Sequence, residues 1–126
     1  MEDRTNYSDK LAKYDSDVYQ DVFAPEILKY IEEEYKMATL EELAETMNVA
    51  LSTASKIVKK STGMTFKELL MRQRLIQAAN LLEHTNLSIT EIIERVGYDN
   101  TSYFHRIFRE TYQMSPKEYR DWKIRT

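Results

Sequence analysis

The chain has 126 residues, a formal net charge of −3, and 42% hydrophobic and 31% charged side chains, the mix of a soluble globular domain. Two glycines and two prolines are too few for the turns of a sandwich, barrel or βαβ fold, so the composition predicts an all-helical chain. The absence of cysteine excludes disulfides, thiolate metal sites and cysteine nucleophiles, and it fits a reducing, cytoplasmic setting.

From the N-terminus, Met1-Glu2-Asp3-Arg4 lacks the basic-then-apolar layout of a signal peptide, and no apolar run reaches the roughly 18 residues of a membrane span. Residues 1–36 hold five basic and ten acidic side chains, whereas 37–126 hold 13 basic and 11 acidic. The acidic excess is therefore local. Leu11, Tyr14, Val18 and Val22 hint at an early helix capped by Ser8. Phe23-Ala24-Pro25-Glu26 then reads as a helix start with proline at its first position, followed by Ile27, Leu28, Ile31 and Tyr35 at helical spacing. Residues 1–24 are thus expected to be an acidic linker or N-terminal extension, and 25–126 the domain.

Beyond this point four capping boxes punctuate the chain: Thr39/Glu42, Thr65/Glu68, Ser88/Glu91 and Ser115/Glu118. In each, the hydroxyl at the N-cap accepts the amide of the third helical residue, whose carboxylate can reach back. Apolar staples accompany three of them, Met64 with Leu69, Leu87 with Ile92 and Met114 with Tyr119. Thr39 to Ser88 is 49 residues and Thr65 to Ser115 is 50, so one helical unit is repeated with a single insertion. Between the copies Phe66, Leu69, Leu70, Gln73, Ile76, Ala79 and Leu82 trace a long connecting helix over about 66–83.

Each copy has a short helix (Leu40–Thr46, Ile89–Arg95), a tight turn (Met47-Asn48-Val49, Val96-Gly97-Tyr98) and a second helix (51–61, 101–112). Asn48 and Gly97 are residue types that tolerate the left-handed backbone ending a helix. This is the layout of a helix-turn-helix, whose second helix can enter the DNA major groove. In the first copy Leu51, Ala54, Ile57 and Val58 form the apolar side, with Ser52, Ser55, Lys56 and Lys59 opposite and Lys60 adjacent. In the second, Phe104, Ile107, Phe108 and Thr111 face inward, with Ser102, His105, Arg106 and Arg109 opposite. Lys56 and Arg106 suit guanine edges, the short polar groups suit bases or phosphates, and Lys59, Lys60 and Arg109 suit phosphates. The aromatic residues at 98, 103, 104, 108, 112 and 119 are expected in the core. The basic tail Arg120, Lys123 and Arg125 is either a phosphate clamp or a frayed end.

Ser88-Ile89-Thr90-Glu91-Ile92, Val96-Gly97-Tyr98, Ser102-Tyr103-Phe104, Arg106, Phe108 and Ser115-Pro116 to Tyr119-Arg120 together resemble the DNA-binding domain of the AraC/XylS family of bacterial transcription regulators. Thr62-Gly63-Met64-Thr65-Phe66, Arg74-Leu75 and Ala78 to Leu82 extend the resemblance, which covers roughly Ile27 to Arg125. It implies a seven-helix domain in which two helix-turn-helix units, joined by a long central helix, enter adjacent major grooves. It places base-reading positions at Ser52, Ser55, Lys56, Thr101, Ser102, His105 and Arg106. Departures from the family pattern are Ala50 in place of a cap, Leu51, Thr53, Ala54 and Val58 in the first recognition helix, Ile93 at a small position, and Gln113 in place of glycine.

The expected function is a sequence-specific regulator binding double-stranded promoter DNA, acting as an activator and touching RNA polymerase. No catalytic residue, metal, cofactor or membrane is expected to take part. The alternative is a helical protein-interaction module without sequence-specific DNA binding. An effector or dimerisation domain has no room in these residues, so the chain is expected to be either a compact member or the C-terminal piece of a larger regulator.

Overall fold

The computed structural model describes residues 16–125, with side chains from Val22 onward. The early-helix positions at Ser8, Leu11 and Tyr14 lie outside the described residues. Helix α1, Ser16–Glu34, does not start at Pro25 but passes through it. Pro25 has no N–H to offer, and packing offsets the missing backbone bond. The inward stripe of α1 is Phe23, Ile27 and Ile31, while Leu28 is 45% exposed, one position off the expected face.

Six further helices follow among the described residues: α2 Leu40–Met47, α3 Leu51–Thr62, α4 Phe66–His84, α5 Ile89–Arg95, α6 Thr101–Tyr112 and α7 Pro116–Arg125. Among the described residues every element is a helix, as the composition predicts. It divides into two compact units, one through Met71 and the other from Arg72 on, so that α4 opens in the first and continues in the second. α4 buries Leu69 in its first turns and Leu75, Ala78, Ala79 and Leu82 further along. Ile76, expected inside, is 41% exposed.

The internal repeat is written into the backbone. After α2 the amides of Asn48 and Val49 bond back to the carbonyls of Glu45 and Ala44; after α5, Gly97 and Tyr98 bond to Glu94 and Ile93 in the same pattern. Both turns hinge on a left-handed residue, Asn48 at φ 57° and Gly97 at φ 108°. This pair of hydrogen bonds satisfies carbonyls that a helix end otherwise leaves open. The buried and exposed positions of 51–60 match those of 101–110 one for one.

The two copies fill their cores differently. Unit two is aromatic: Phe108 lies 4.6 Å from the Tyr112 ring, 5.7 Å from Phe104 and 5.7 Å from Tyr119, ring centre to ring centre. At the positions of Phe104 and Phe108, unit one has the smaller Ala54 and Val58, both fully buried. Phe23, Ile27 and Ile31 of α1 join Ala54, Ile57 and Val58 in one cluster and supply the missing bulk. Two of the unusual residues in the first recognition helix, Ala54 and Val58, are thus a packing solution shared with α1.

α3 and α6 both end on a left-handed residue, Gly63 at φ 78° and Gln113 at φ 65°, with amides bonded to Lys59 O and Arg109 O. Glycine adopts this backbone freely, whereas a side chain costs about 1 kcal/mol or more. A Cβ on Gly63 would meet nothing within 4 Å, so the cost there is conformational alone. Gln113→Gly is expected to raise stability by about 0.5–1 kcal/mol, and Gly63→Ala to lower it by about 1 kcal/mol. Urea midpoints read both; an unchanged midpoint for Gln113→Gly would mean that its Nε2 bond to Glu110 O at 2.9 Å offsets the strain.

Candidate nucleic-acid interface

The four capping boxes form to different degrees. Thr65 and Ser115 are complete: each hydroxyl accepts the third-residue amide at 3.1 Å, and each glutamate accepts the N-cap amide, at 3.2 Å for Glu68 and 3.0 Å for Glu118. Ser88 makes the forward bond, from Glu91 N at 3.1 Å. In the first box a tyrosine from α1 takes the return position. Tyr30 Oη accepts the Thr39 amide at 3.1 Å and donates to Glu42 Oε1 at 2.8 Å. Burial, reinforced by the Glu42 carboxylate against the pull of Thr39, pushes the Tyr30 phenol up to about 12. Tyr30 therefore stays neutral and ties α1 to the start of the first helix-turn-helix.

The recognition helices are capped unequally. Ala50 offers α3 no side-chain bond, whereas Asn100, its counterpart at the start of α6, accepts the Tyr103 amide at 2.9 Å. Asparagine directly before Thr101 is a residue type that favours this capping position. On α3, Ser52, Ser55, Lys56, Lys59 and Lys60 are all exposed, as are Thr101, Ser102, His105, Arg106 and Arg109 on α6. The expected apolar stripes hold at Ala54, Ile57, Val58, Phe104, Ile107 and Phe108. They fail at Leu51, 46% exposed in the first turn of α3, and at Thr111, which is exposed.

Partners separate the two basic faces. Lys59 Nζ donates to Gly63 O at 3.1 Å and so helps to close α3. Arg106 Nη1 donates to Glu110 Oε1 at 3.2 Å, and the Arg106 guanidinium lies 5.2 Å from the Tyr103 ring centre. Arg109 Nη2 donates to Glu118 Oε1 at 3.0 Å, the same oxygen that accepts the Ser115 amide. The alternative left open for Arg120 closes on a third answer. Its Nε and Nη2 donate to Leu82 O and Thr85 O, at 3.0 and 3.3 Å, so it caps the carbonyl end of α4. Acidic groups collect instead on α1 and α2, where Glu26, Glu33, Glu34 and Glu42 line a recess with Lys29.

The box glutamates also make stability pH-dependent. Hydrogen bonds from the Thr65 hydroxyl and amide hold Glu68 below the usual carboxylate range, and those from the Ser115 amide and hydroxyl, with Arg109 beyond them, do so for Glu118. A carboxylate lowered on folding contributes stability above its unfolded value, about 4.3, and loses it as pH falls through the lowered folded value. The thermal midpoint is expected to be flat from neutrality to about pH 5 and to fall below that. Glu68→Gln combined with Glu118→Gln should lower the plateau and flatten the acid fall; an acid fall unchanged by both would show that other carboxylates carry it.

The order of caps, turns and helices now has counterparts among known proteins. The model of a helix-turn-helix domain matches residues 43–121. The chain belongs to the AraC family of helix-turn-helix regulators. It is 32% identical over 96 residues to the HTH-type transcriptional activator RhaS of Enterobacter sp. strain 638, covering 75% of this chain and 34% of that protein. It therefore spans about a third of the length of that relative. The C-terminal domain of AraT, a response regulator from Geobacillus stearothermophilus, superposes with a TM-score of 0.70 at 38% identity, over 77% of this chain and 82% of that one. The DNA-binding domain of AdpA, described in complex with a target DNA, gives a TM-score of 0.69 at 26% identity, over 77% and 88%. The fold is thus the AraC-type pair of helix-turn-helix units. No helix among the described residues is long and apolar enough to cross a membrane.

Proposed function

We propose that residues 25–126 bind double-stranded promoter DNA sequence-specifically, with α3 and α6 entering successive major grooves. The observation that carries this reading is the repeat itself. Two helices of one design expose Ser52, Ser55 and Lys56 in one copy and Ser102, His105 and Arg106 in the other, at corresponding positions. Thr101 joins the base-reading set, and Lys59, Lys60 and Arg109 serve phosphates. Grooves on one DNA face recur about every 34 Å, so the operator is bipartite with a spacing near one helical turn. The reading further takes the protein to be an activator, a role that the printed name of RhaS supports, and one that offers RNA polymerase a second surface. It involves no catalytic step, cofactor or metal. The AdpA complex with DNA favours it over a helical module that binds only proteins.

Selection of bound DNA from a random pool tests it. The expected result is a bipartite consensus with one-turn spacing, bound at least about a thousandfold tighter than random duplex at physiological salt. Equal affinity for every sequence would overturn the reading.

A further inference from the structure

The same position in the two copies is built in two different ways. Arg106 of α6 is held on both sides. The Tyr103 ring, one turn before it, lies 5.2 Å from the guanidinium, and Glu110, one turn after it, accepts from Nη1 at 3.2 Å. Fifty residues earlier, Lys56 stands where Arg106 does, with Thr53 in place of Tyr103 and Lys60 in place of Glu110. Among the described residues Lys56 forms no hydrogen bond or ion pair. One copy therefore presents a planar fork already oriented, with donors beyond Nη1 left for a base edge. The other presents a mobile point charge beside two more lysines.

We infer that the two units divide the work: α6 discriminates sequence, with Tyr103 and Glu110 as positioning residues for Arg106, while α3 anchors the complex by charge through Lys56, Lys59 and Lys60. The inference rests on the DNA-binding reading above and deepens it, moving Lys56 from the base-reading set to the charge anchors. The physical grounds are general. A guanidinium fork matches the two acceptors of guanine only in a fixed orientation, whereas an ammonium is indifferent to direction. A glutamate on a groove-facing helix repels every phosphate alike, and so lowers affinity for all sequences. That cost is recovered only where the oriented arginine meets its base, which raises the ratio of specific to random binding. On α3, where no acid stands, lysines attract any duplex by counterion release.

The test measures affinity of the full chain for its selected operator and for random duplex, and takes the ratio. Glu110→Gln is expected to raise affinity for random duplex about two- to fivefold, the scale of an exposed charge pair, and to lower the ratio by a similar factor. Tyr103→Leu is expected to lower the ratio without strengthening random binding, and Tyr103→Phe, which keeps the ring, to restore it. Lys56→Ala is expected to weaken both duplexes by the same factor and leave the ratio unchanged. Circular dichroism and the thermal midpoint establish that each variant is folded. A wild-type ratio under Glu110→Gln, or a fall in ratio under Lys56→Ala as large as that under Glu110→Gln, would overturn the inference. A wild-type chain with no preference at all would instead overturn the DNA-reading function on which it stands.

Discussion

Phe108→Ala is expected to cost about 3–5 kcal/mol of stability, the range for truncating a fully buried aromatic side chain. The ring is fully buried, and it touches the aromatic neighbours that bind α6 to α7, Tyr119 edge-on at 87° and Tyr112 at 4.6 Å. Aromatic pairs of this geometry add about 0.5–1.5 kcal/mol beyond the area they bury. A unit of roughly 55 residues, from Arg72 on, carries only about 3–8 kcal/mol in total. The substitution therefore removes most of the stability of the second unit. Val58→Ala, the equivalent change in the first unit, deletes two methyl groups and is expected to cost less, about 1–3 kcal/mol. Differential unfolding in urea, with the single tryptophan Trp122 in α7 as a local reporter, reads the contrast. If both variants shift the tryptophan transition equally, the two cores unfold as one, and the aromatic cluster does not set the second unit's stability.

The parts of this fold that were legible in the sequence are those governed by local chemistry. Capping boxes announce where α2, α4, α5 and α7 start because the bond from hydroxyl to amide spans only three residues. The left-handed residues Asn48, Gly63 and Gly97 announce where α2, α3 and α5 end. What the sequence hid is whatever depends on which neighbour arrives from afar. Helical spacing cannot choose between Ile27 and Leu28, which lie about 100° apart on the helix, until α3 supplies the surface to pack on. Pro25 looked like a helix start because proline fits there best, yet burial of Phe23 and Ile27 on either side holds the helix through it. Tyr30 completes a capping box from nine residues upstream, and Arg120 caps a helix end 38 residues behind it. No pattern along the chain encodes those distances. The Arg106–Glu110 pair is different, since its i,i+4 spacing is a recognised helix pairing. It was there to be found, but only the ring of Tyr103 on the other side shows what it holds in place.

Arg106→Ala is expected to cost about 1–3 kcal/mol in binding to the selected operator and to relax the preference at one base pair. The direction follows from what each state offers the guanidinium. In the free protein its partner is Glu110, and both side chains are more than half exposed, 61% and 62%. An ion pair so open to water and salt is worth at most about 1 kcal/mol. A guanine edge in the major groove offers two acceptors in the plane of the fork, in a site from which water is largely displaced, so the contact made by the donors beyond Nη1 outweighs what the Glu110 pair itself contributes. Arg106→Lys keeps the charge and loses the fork. It is expected to retain affinity for random duplex while losing most of the discrimination at that base pair. Neither change should alter the unfolding free energy by more than about 0.5 kcal/mol, because the side chain is 61% exposed. A scan of single base-pair changes across the operator, run with all three proteins, gives the answer. A flat loss over every sequence, with a salt slope shallower by about one unit, would show that Arg106 meets a phosphate and that discrimination in α6 comes from Ser102 and His105.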